Sequence, residues 1–491
     1  MNSTLFLTTF AAYVGFLIAL SWWVTRRHQG GEDFLLAGRS LPIFLTIGTT
    51  VATMVGTGSS MGAVGFGYAN GWAGALYGLG GAIGILLLAA WFAPVREYRF
   101  MTMSEELSFY VGANRLVKNI VAVLIFLACI GWLGAHILGG GLYLAWIAGM
   151  DLDVARVVVA LSFAIYVIVG GYRAVVWTDT LQAIVLFGGF ILMAALAVHA
   201  AGGWSALLAA QPEANVAALA RESIGGLPAL SLVLVIAVGV LATPSFRQRI
   251  YSARSVGSVR RSFVISGTLY LFFSLVPAII GMGAYALNPE LGNRNFAFPF
   301  LAVEVLPVGI GLVVLIAGLS ATMSSASSDA MAGVAVLMRD LWVMVTGRTP
   351  SRTRVVRNSR ITLALVITGA WLMASLSDDL IGYITGMIST LMAGMFACGL
   401  LGRFWPRYNW QGALASLLGG AIASVWVMAS FMAFWGNPVI PAVITALGAG
   451  VMVSLLTPPQ ALTPAQSLAR LDHERERMEA SVEPQVRDGV S

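Results

Sequence analysis

An all-α polytopic membrane protein with about thirteen transmembrane helices is the fold class this sequence predicts. Three observations predict it. Apolar residues fill 58% of the 491 positions and charged residues only 10%, at a mean hydropathy of +0.85, a composition outside the range of soluble domains. Apolar stretches of about 18 to 25 residues recur along the chain, each long enough as a helix to cross roughly 30 Å of hydrocarbon. Lys and Arg fall on alternate loops: 25 of the 28 lie on one side, and only Arg156, Arg221 and Arg294 on the other. Basic residues are retained on the cytoplasmic face, so the asymmetry puts the N-terminus outside and the C-terminus in the cytoplasm. The net charge of +6 then follows from topology, and no nucleic-acid partner is implied.

Numbered 0 to 12, the spans lie near 5–25, 42–67, 73–94, 117–147, 154–170, 177–200, 228–246, 262–286, 308–342, 361–377, 380–402, 411–432 and 436–456. Helix 0 has its arginines after the apolar run, so it reads as an uncleaved anchor and not a signal peptide. Helix 1 contains "MVGTGSSMGAVGFG", whose glycines lower the cost of leaving helical geometry. Helix 6 contains "AVGVLATPSF", where Pro244 lacks an N–H and disturbs the preceding turn. Two interrupted helices five spans apart are the mark of a transporter, because backbone freed in the membrane must find a partner or line a cavity. Gly239 and Pro244 are therefore expected at a gate. The loop expected before helix 7 holds Arg247, Arg249, Arg254, Arg260 and Arg261. Cys129 and Cys398 read as small packing residues. The polar tail, 458–491, is expected in the cytoplasm, with a short surface helix in "AQSLARLDHERERMEA".

Helix 8 carries the most unusual stretch, "SATMSSASSDAM", Ser320 to Met331. At 100° per residue, Ala321, Ser324, Ser325 and Ser328 share a face roughly 100° wide, which presents hydroxyls to a hard cation such as sodium. "GTGSS", Gly56 to Ser60, offers backbone N–H groups at a half-helix N-terminus, suited to a carboxylate. Trp132 and His136 on helix 3 should border the same site. These features favour an amino acid or small carboxylate as the solute.

"LAGRSLP" (Leu36 to Pro42), "GGYRAVVWTDTLQ" (Gly170 to Gln182) and "GLLGRFWPRYNWQGALASLLGG" (Gly399 to Gly420) resemble the signatures of the sodium:solute symporter family. The resemblance implies the leucine-transporter fold, an inverted five-plus-five helix repeat with broken helices 1 and 6, and alternating access driven by sodium. The expected divisions are an extra helix and loop in 1–41, repeats in 42–200 and 201–402, two further helices in 403–457, and the tail. By motif, the implied sodium ligands are Ala52 and Val55 on helix 1 with Ala321, Ser324 and Ser325 on helix 8. A second sodium is expected at Asp179, Ser327 and Ser328, and Asp329 is a further candidate for the ion's exit path. The implied substrate positions are Gly56, Thr57, Gly58, Ser59, Trp132, His136 and Val240. The Trp and Tyr that proline transporters of the family carry on helix 6 are replaced by Ile236 and Val240, and the Glu-Gln of the sugar branch by Gly58 and Ser59, so neither solute carries over.

The expected activity is sodium-coupled import of a small organic solute across a bacterial inner membrane, the location suggested by the single Lys among the basic residues. A substrate sensor built on a transporter body and a symporter for a neutral polar solute are the alternatives. Nothing in the spans resembles a catalytic dyad, so an enzyme is not expected. The solute's identity and the oligomeric state are open.

Overall fold

The computed structural model describes residues 2–26, 31–216, 221–348, 355–375 and 379–480. Arg27, Arg352, Arg354 and Arg487, counted above on the basic side, lie outside the described residues, as does the tail beyond Ala480. Among the described residues there is no strand, only an isolated bridge between Leu41 and Ala253.

By length and composition, nine helices among these residues can cross a membrane, or ten with one bent pair counted as a span. That is fewer than thirteen, and the difference lies at the joints. Helices 4 and 5 run together as Leu152–Ala200, turning at Gly171, whose φ of 60° and ψ of −155° suit only glycine; a Cβ there would also stand 2.6 Å from Phe34. Helix 1 stops at Met54 and resumes as a wide turn, Gly58–Gly62, followed by Ala63–Asn70. Its first half is too short to count alone, and its second half joins helix 2 in one long element. Helix 9, Val355–Ala374, opens with a polar turn containing Arg357 and Arg360.

Helix 6 is the bent pair: Gly226–Ala242 and Pro244–Ser252 meet at 44°. The sequence placed its end near residue 246, with Arg247 and Arg249 in a loop. Instead the second half runs on to Ser252, and both arginines are buried within the bundle, 1% and 0% exposed. Local hydropathy ended the helix too early because polar residues packed inside a protein look like a loop to a hydrophobicity scale.

Helix 8, Val308–Val336, lies at the centre, with every residue from Val314 to Val336 buried. A hydroxyl buried there needs a partner inside the protein. Ser320 Oγ lies 2.7 Å from Tyr13 Oη of helix 0, and Tyr166 Oη of helix 4 donates to the Met323 carbonyl at 3.1 Å. Helix 8 is thus fixed in rotation, with its remaining hydroxyls turned toward helices 1 and 5.

The tail helix, Pro464–Ala480, docks on the short helix Met103–Phe109 between helices 2 and 3. Arg475 Nη2 sits 2.6 Å from Glu105 Oε2, and Glu474 pairs with Arg115 and Lys118. Burial pushes the Glu105 carboxyl up, but Arg475, Lys118 and a hydrogen bond from the Met101 N–H outweigh it and hold the carboxyl down at about 2. Cys129 and Cys398 are both buried and unbridged.

Candidate ion and solute site

The break in helix 1 faces the serines of helix 8. Val55 leaves helical geometry, with φ −86° and ψ 59°, so the last carbonyls of the first half lose their helical N–H partners. Ser324 Oγ donates to the Ala52 carbonyl at 3.0 Å and to that of Ala321 at 3.3 Å. Ser325 Oγ donates to the carbonyls of Thr53 at 3.0 Å and Ala52 at 3.4 Å. Of the five expected sodium ligands, these contacts join Ala52, Ala321, Ser324 and Ser325. Val55, fully buried, stands at the break itself, and Thr53 enters without having been anticipated. Every oxygen in the set is neutral, and together they can surround a hard monovalent cation.

One turn along helix 8 lies a charged cluster. Asp179 Oδ2 accepts from Thr49 at 2.6 Å and Ser328 at 2.9 Å, and Oδ1 from Ser327 at 3.3 Å. Asp179, Ser327 and Ser328 are therefore in contact, but Asp179 lies within a continuous helix and does not cap one. The cluster also holds Arg249. Its Nη2 donates to Ser328 Oγ at 2.8 Å, Thr49 Oγ1 at 2.7 Å and Thr53 Oγ1, and lies 3.5 Å from Asp179 Oδ2. Its Nη1 donates to the Ser245 carbonyl at 2.7 Å. A guanidinium thus already supplies the positive charge that this carboxylate needs.

Beyond the break opens a partly open cavity lined from helices 1, 2, 3, 6 and 8. Gly56 and Gly58 of helix 1, Trp132 and His136 of helix 3, Val240 of helix 6 and Asp329 of helix 8 all line it. Thr57 and Ser59 face elsewhere. Thr57 Oγ1 lies 3.0 Å from His136 Nδ1 and 3.1 Å from Thr322 Oγ1, and Ser59 Oγ donates back to the carbonyls of Met54 and Gly56. His136 Nε2 is 3.2 Å from Asp329 Oδ2. Asp329, expected on an exit path, lines the cavity. Pro244 begins the second half of helix 6 with Thr243 at the bend, while Gly239 faces Ile388 of helix 10.

The oxygen cluster and the cavity meet at Gly56. A Cβ built on it would stand 2.6 Å from Ser325 Oγ and 3.1 Å from His136 Cε1. No side chain larger than hydrogen fits between the serine and the imidazole without moving one of them. Arg249 and Tyr77, which also lines the cavity, escaped the sequence reading. Tyr77 had no pattern to betray it. For Arg249 the usable signal was its position five residues after a helix-breaking proline.

The sodium:solute symporter family model matches residues 34–420. The sodium/pantothenate symporter of Escherichia coli (strain K12) is 24% identical, over 89% of this chain and 93% of that protein. The sodium/glucose cotransporter of Vibrio parahaemolyticus is 27% identical over 85% and 83%. Among solved structures, a sodium-coupled sialic acid symporter in a substrate-bound, outward-open state superposes with a TM-score of 0.80 at 19% identity, covering 93% of this chain and 98% of that one.

Proposed function

Because this chain belongs to the sodium:solute symporter family, with the leucine-transporter fold, we propose that it couples sodium entry to import of an amino acid or small carboxylate, with sodium held between Ala52, Val55, Ala321, Ser324 and Ser325. One observation carries the proposal: the serine hydroxyls of helix 8 meet the carbonyls at the helix 1 break, and Gly56 lies between Ser325 and His136 of the cavity wall.

Sodium there replaces hydrogen bonds within the protein. A hydroxyl can rotate to offer a lone pair to the ion or a proton to a carbonyl, so Ser324 and Ser325 are satisfied whether or not the ion is bound. Emptying the site strands no buried group, and the neutral oxygens hold the ion loosely enough to release it where sodium is scarce. While bound, sodium ties the helix 1 break to helix 8 and fixes Gly56 beside His136, which preforms the cavity wall. Sodium and solute then each favour the state that binds the other, the reciprocal coupling that symport needs. Pro244 and Gly239 serve the bend of helix 6 as it moves between states. Pantothenate and sialic acid, carried by the relatives named above, are organic acids, which supports the restart of helix 1 near Gly58 as the acceptor of a solute carboxylate. The basic loops support an N-terminus outside and a C-terminus in the cytoplasm, and the single Lys among the basic residues supports a bacterial inner membrane.

The geometry favours one sodium per cycle. A second ion at Asp179, Ser327 and Ser328 would have to displace the Arg249 guanidinium from Ser328 and Thr49. The test is uptake of labelled amino acids and organic acids into proteoliposomes with and without an inward sodium gradient. Sodium-dependent accumulation is expected, with one sodium per solute by reversal potential. Accumulation without sodium would refute the coupling, and sodium-dependent binding without transport would favour the sensor. A ratio of two that falls to one in Asp179→Asn would restore the second ion.

A further inference from the structure

Within the cavity wall, three buried polar atoms have no hydrogen-bond partner among the described residues: Asp329 Oδ1, Trp132 Nε1 and Ser245 Oγ. Asp329 is 3% exposed. Its Oδ2 is engaged by His136, and the tautomer carrying its proton on Nε2 donates to it while Nδ1 faces the Thr57 hydroxyl. That arrangement orients the carboxyl and uses one of its oxygens. The second oxygen, on a residue that lines the cavity, is buried with nothing to accept from, an expensive condition for a carboxylate unless a bound molecule supplies a donor.

We propose, resting on the symporter reading above, that Asp329 is the specificity-determining contact for a protonated amine on the solute, so that the transported molecule carries an ammonium group held at Asp329 Oδ1. The rest of the wall suits that charge. Trp132 and Tyr77 are among the lining residues, and aromatic rings attract an ammonium through the ring quadrupole. No Lys or Arg is among the lining residues, so nothing in the wall repels it. Trp132 Nε1 is a donor only and cannot serve the ammonium. It is available instead to a solute oxygen, as are the N–H groups where helix 1 restarts. A solute with an ammonium at one end and a carboxylate at the other satisfies both sets of groups. This narrows the solute to amino acids or related zwitterions and sets hydroxy acids and sugars aside.

His136 positions the carboxylate. It stacks on Trp132 one turn away, with ring centroids 6.4 Å apart and planes at 19°. Trp132, His136 and Asp329 therefore behave as one unit, and moving the imidazole re-aims the carboxyl. Because Gly56 abuts both Ser325 and His136, the aim of Asp329 also depends on the sodium cluster, so ammonium binding should strengthen with sodium.

The experiment uses the purified full chain in detergent with saturating sodium, and matched sets of ligands as probes: alanine with lactate and ethylamine, leucine with 2-hydroxy-4-methylpentanoate and isopentylamine, and phenylalanine with 3-phenyllactate and phenethylamine. Binding is read as thermal stabilisation across a concentration series. In at least one set the amino acid should bind about tenfold or more tightly than its hydroxy acid, the size of a charge-assisted hydrogen bond. Asp329→Asn should remove most of that difference while stabilisation by sodium alone remains. His136→Gln, which retains a donor toward Asp329, should weaken the amino acid less than Asp329→Asn does. Equal affinity for an amino acid and its hydroxy acid, or unchanged discrimination in Asp329→Asn, would overturn the proposal. If no set binds while sodium still stabilises the chain, the amine assignment fails and the symporter reading stands. If sodium itself has no effect, both fail.

Discussion

Helices 1 and 6 are both broken, and their breaks are built in opposite ways. Helix 1 is interrupted without a proline, in a run of small residues where Val55 turns the chain and Gly56 keeps the gap open. Its freed carbonyls face neutral hydroxyls from helix 8. Helix 6 is interrupted by Pro244, with the Thr243 hydroxyl bonded to the Gly239 carbonyl at 2.7 Å. There a loose carbonyl is taken by the chain's own cation: Arg247 Nη2 donates to the Leu241 carbonyl at 3.1 Å, while Arg249, from the second half, reaches across to Thr49 and Thr53 of helix 1. The C-terminal end of a half-helix carries partial negative charge and attracts a cation. At helix 1 that cation can be exchangeable; at helix 6 it is covalently part of the protein. The comparison teaches that a broken helix creates a demand for positive charge, and the residues around it decide whether an ion or an arginine meets the demand.

Removing the internal cation should have the largest effect. Arg249→Ala leaves Asp179 buried without its charge partner, which should cost about 3–5 kcal/mol of stability, seen as a lower melting temperature and poor expression. Adding Asp179→Asn should recover most of the loss. If Arg249→Ala alone is as stable as the parent, the cluster is not a compensated ion pair and the arginine does not balance Asp179.

The next contrast is between two glycines. Gly56→Ala puts a methyl group 2.6 Å from Ser325 Oγ and should weaken sodium binding about tenfold or more by displacing a ligand. Gly239→Ala puts one 2.8 Å from Ile388 Cδ1, the end of a side chain that can turn away, and should change sodium affinity less than about threefold. Similar losses in both variants would mean that helix 1 holds no special relation to the ion.

How far this arrangement was legible in the sequence follows from the same contrast. Glycine clusters and a proline within an apolar run mark broken helices in any membrane protein, and the serine spacing on helix 8 places hydroxyls on one face without further information. Arg249 was hidden because a charged residue near the end of an apolar run scores as loop, although the proline before it starts a second half-helix. Asp329 was visible but misplaced. It follows Ser325 by four residues, just over one full turn, so the spacing put it beside the serine face; only packing against helix 3 reveals that it meets His136 and borders the cavity. The joints between helices, such as Gly171, depend on backbone angles that hydropathy does not encode.

The smallest effect is expected outside the membrane, where the tail helix docks through a partly exposed pair. The Glu105 carboxyl is held near 2, below its ordinary value of 4.5, so its contribution to docking is complete above about pH 4.5 and is lost as the pH falls through 2. A nitroxide attached at Glu476→Cys, with Cys129 and Cys398 buried and unreactive, should gain mobility over that window. Arg475→Ala should give the same mobility at neutral pH while changing overall stability by less than about 1 kcal/mol. Unchanged mobility in Arg475→Ala would show that the tail's other contacts, among them Glu474 with Arg115 and Lys118, hold it without this pair.

The most direct test of the account is equilibrium binding of radioactive sodium to the purified protein in the absence of solute. Ser324→Ala and Ser325→Ala should each weaken binding about tenfold, the order expected when one oxygen is lost from a site with few, with melting temperatures close to the parent's. If both variants are folded and bind sodium as tightly as the parent, the ion does not sit between helix 1 and helix 8, and the proposed coupling through Gly56 is wrong.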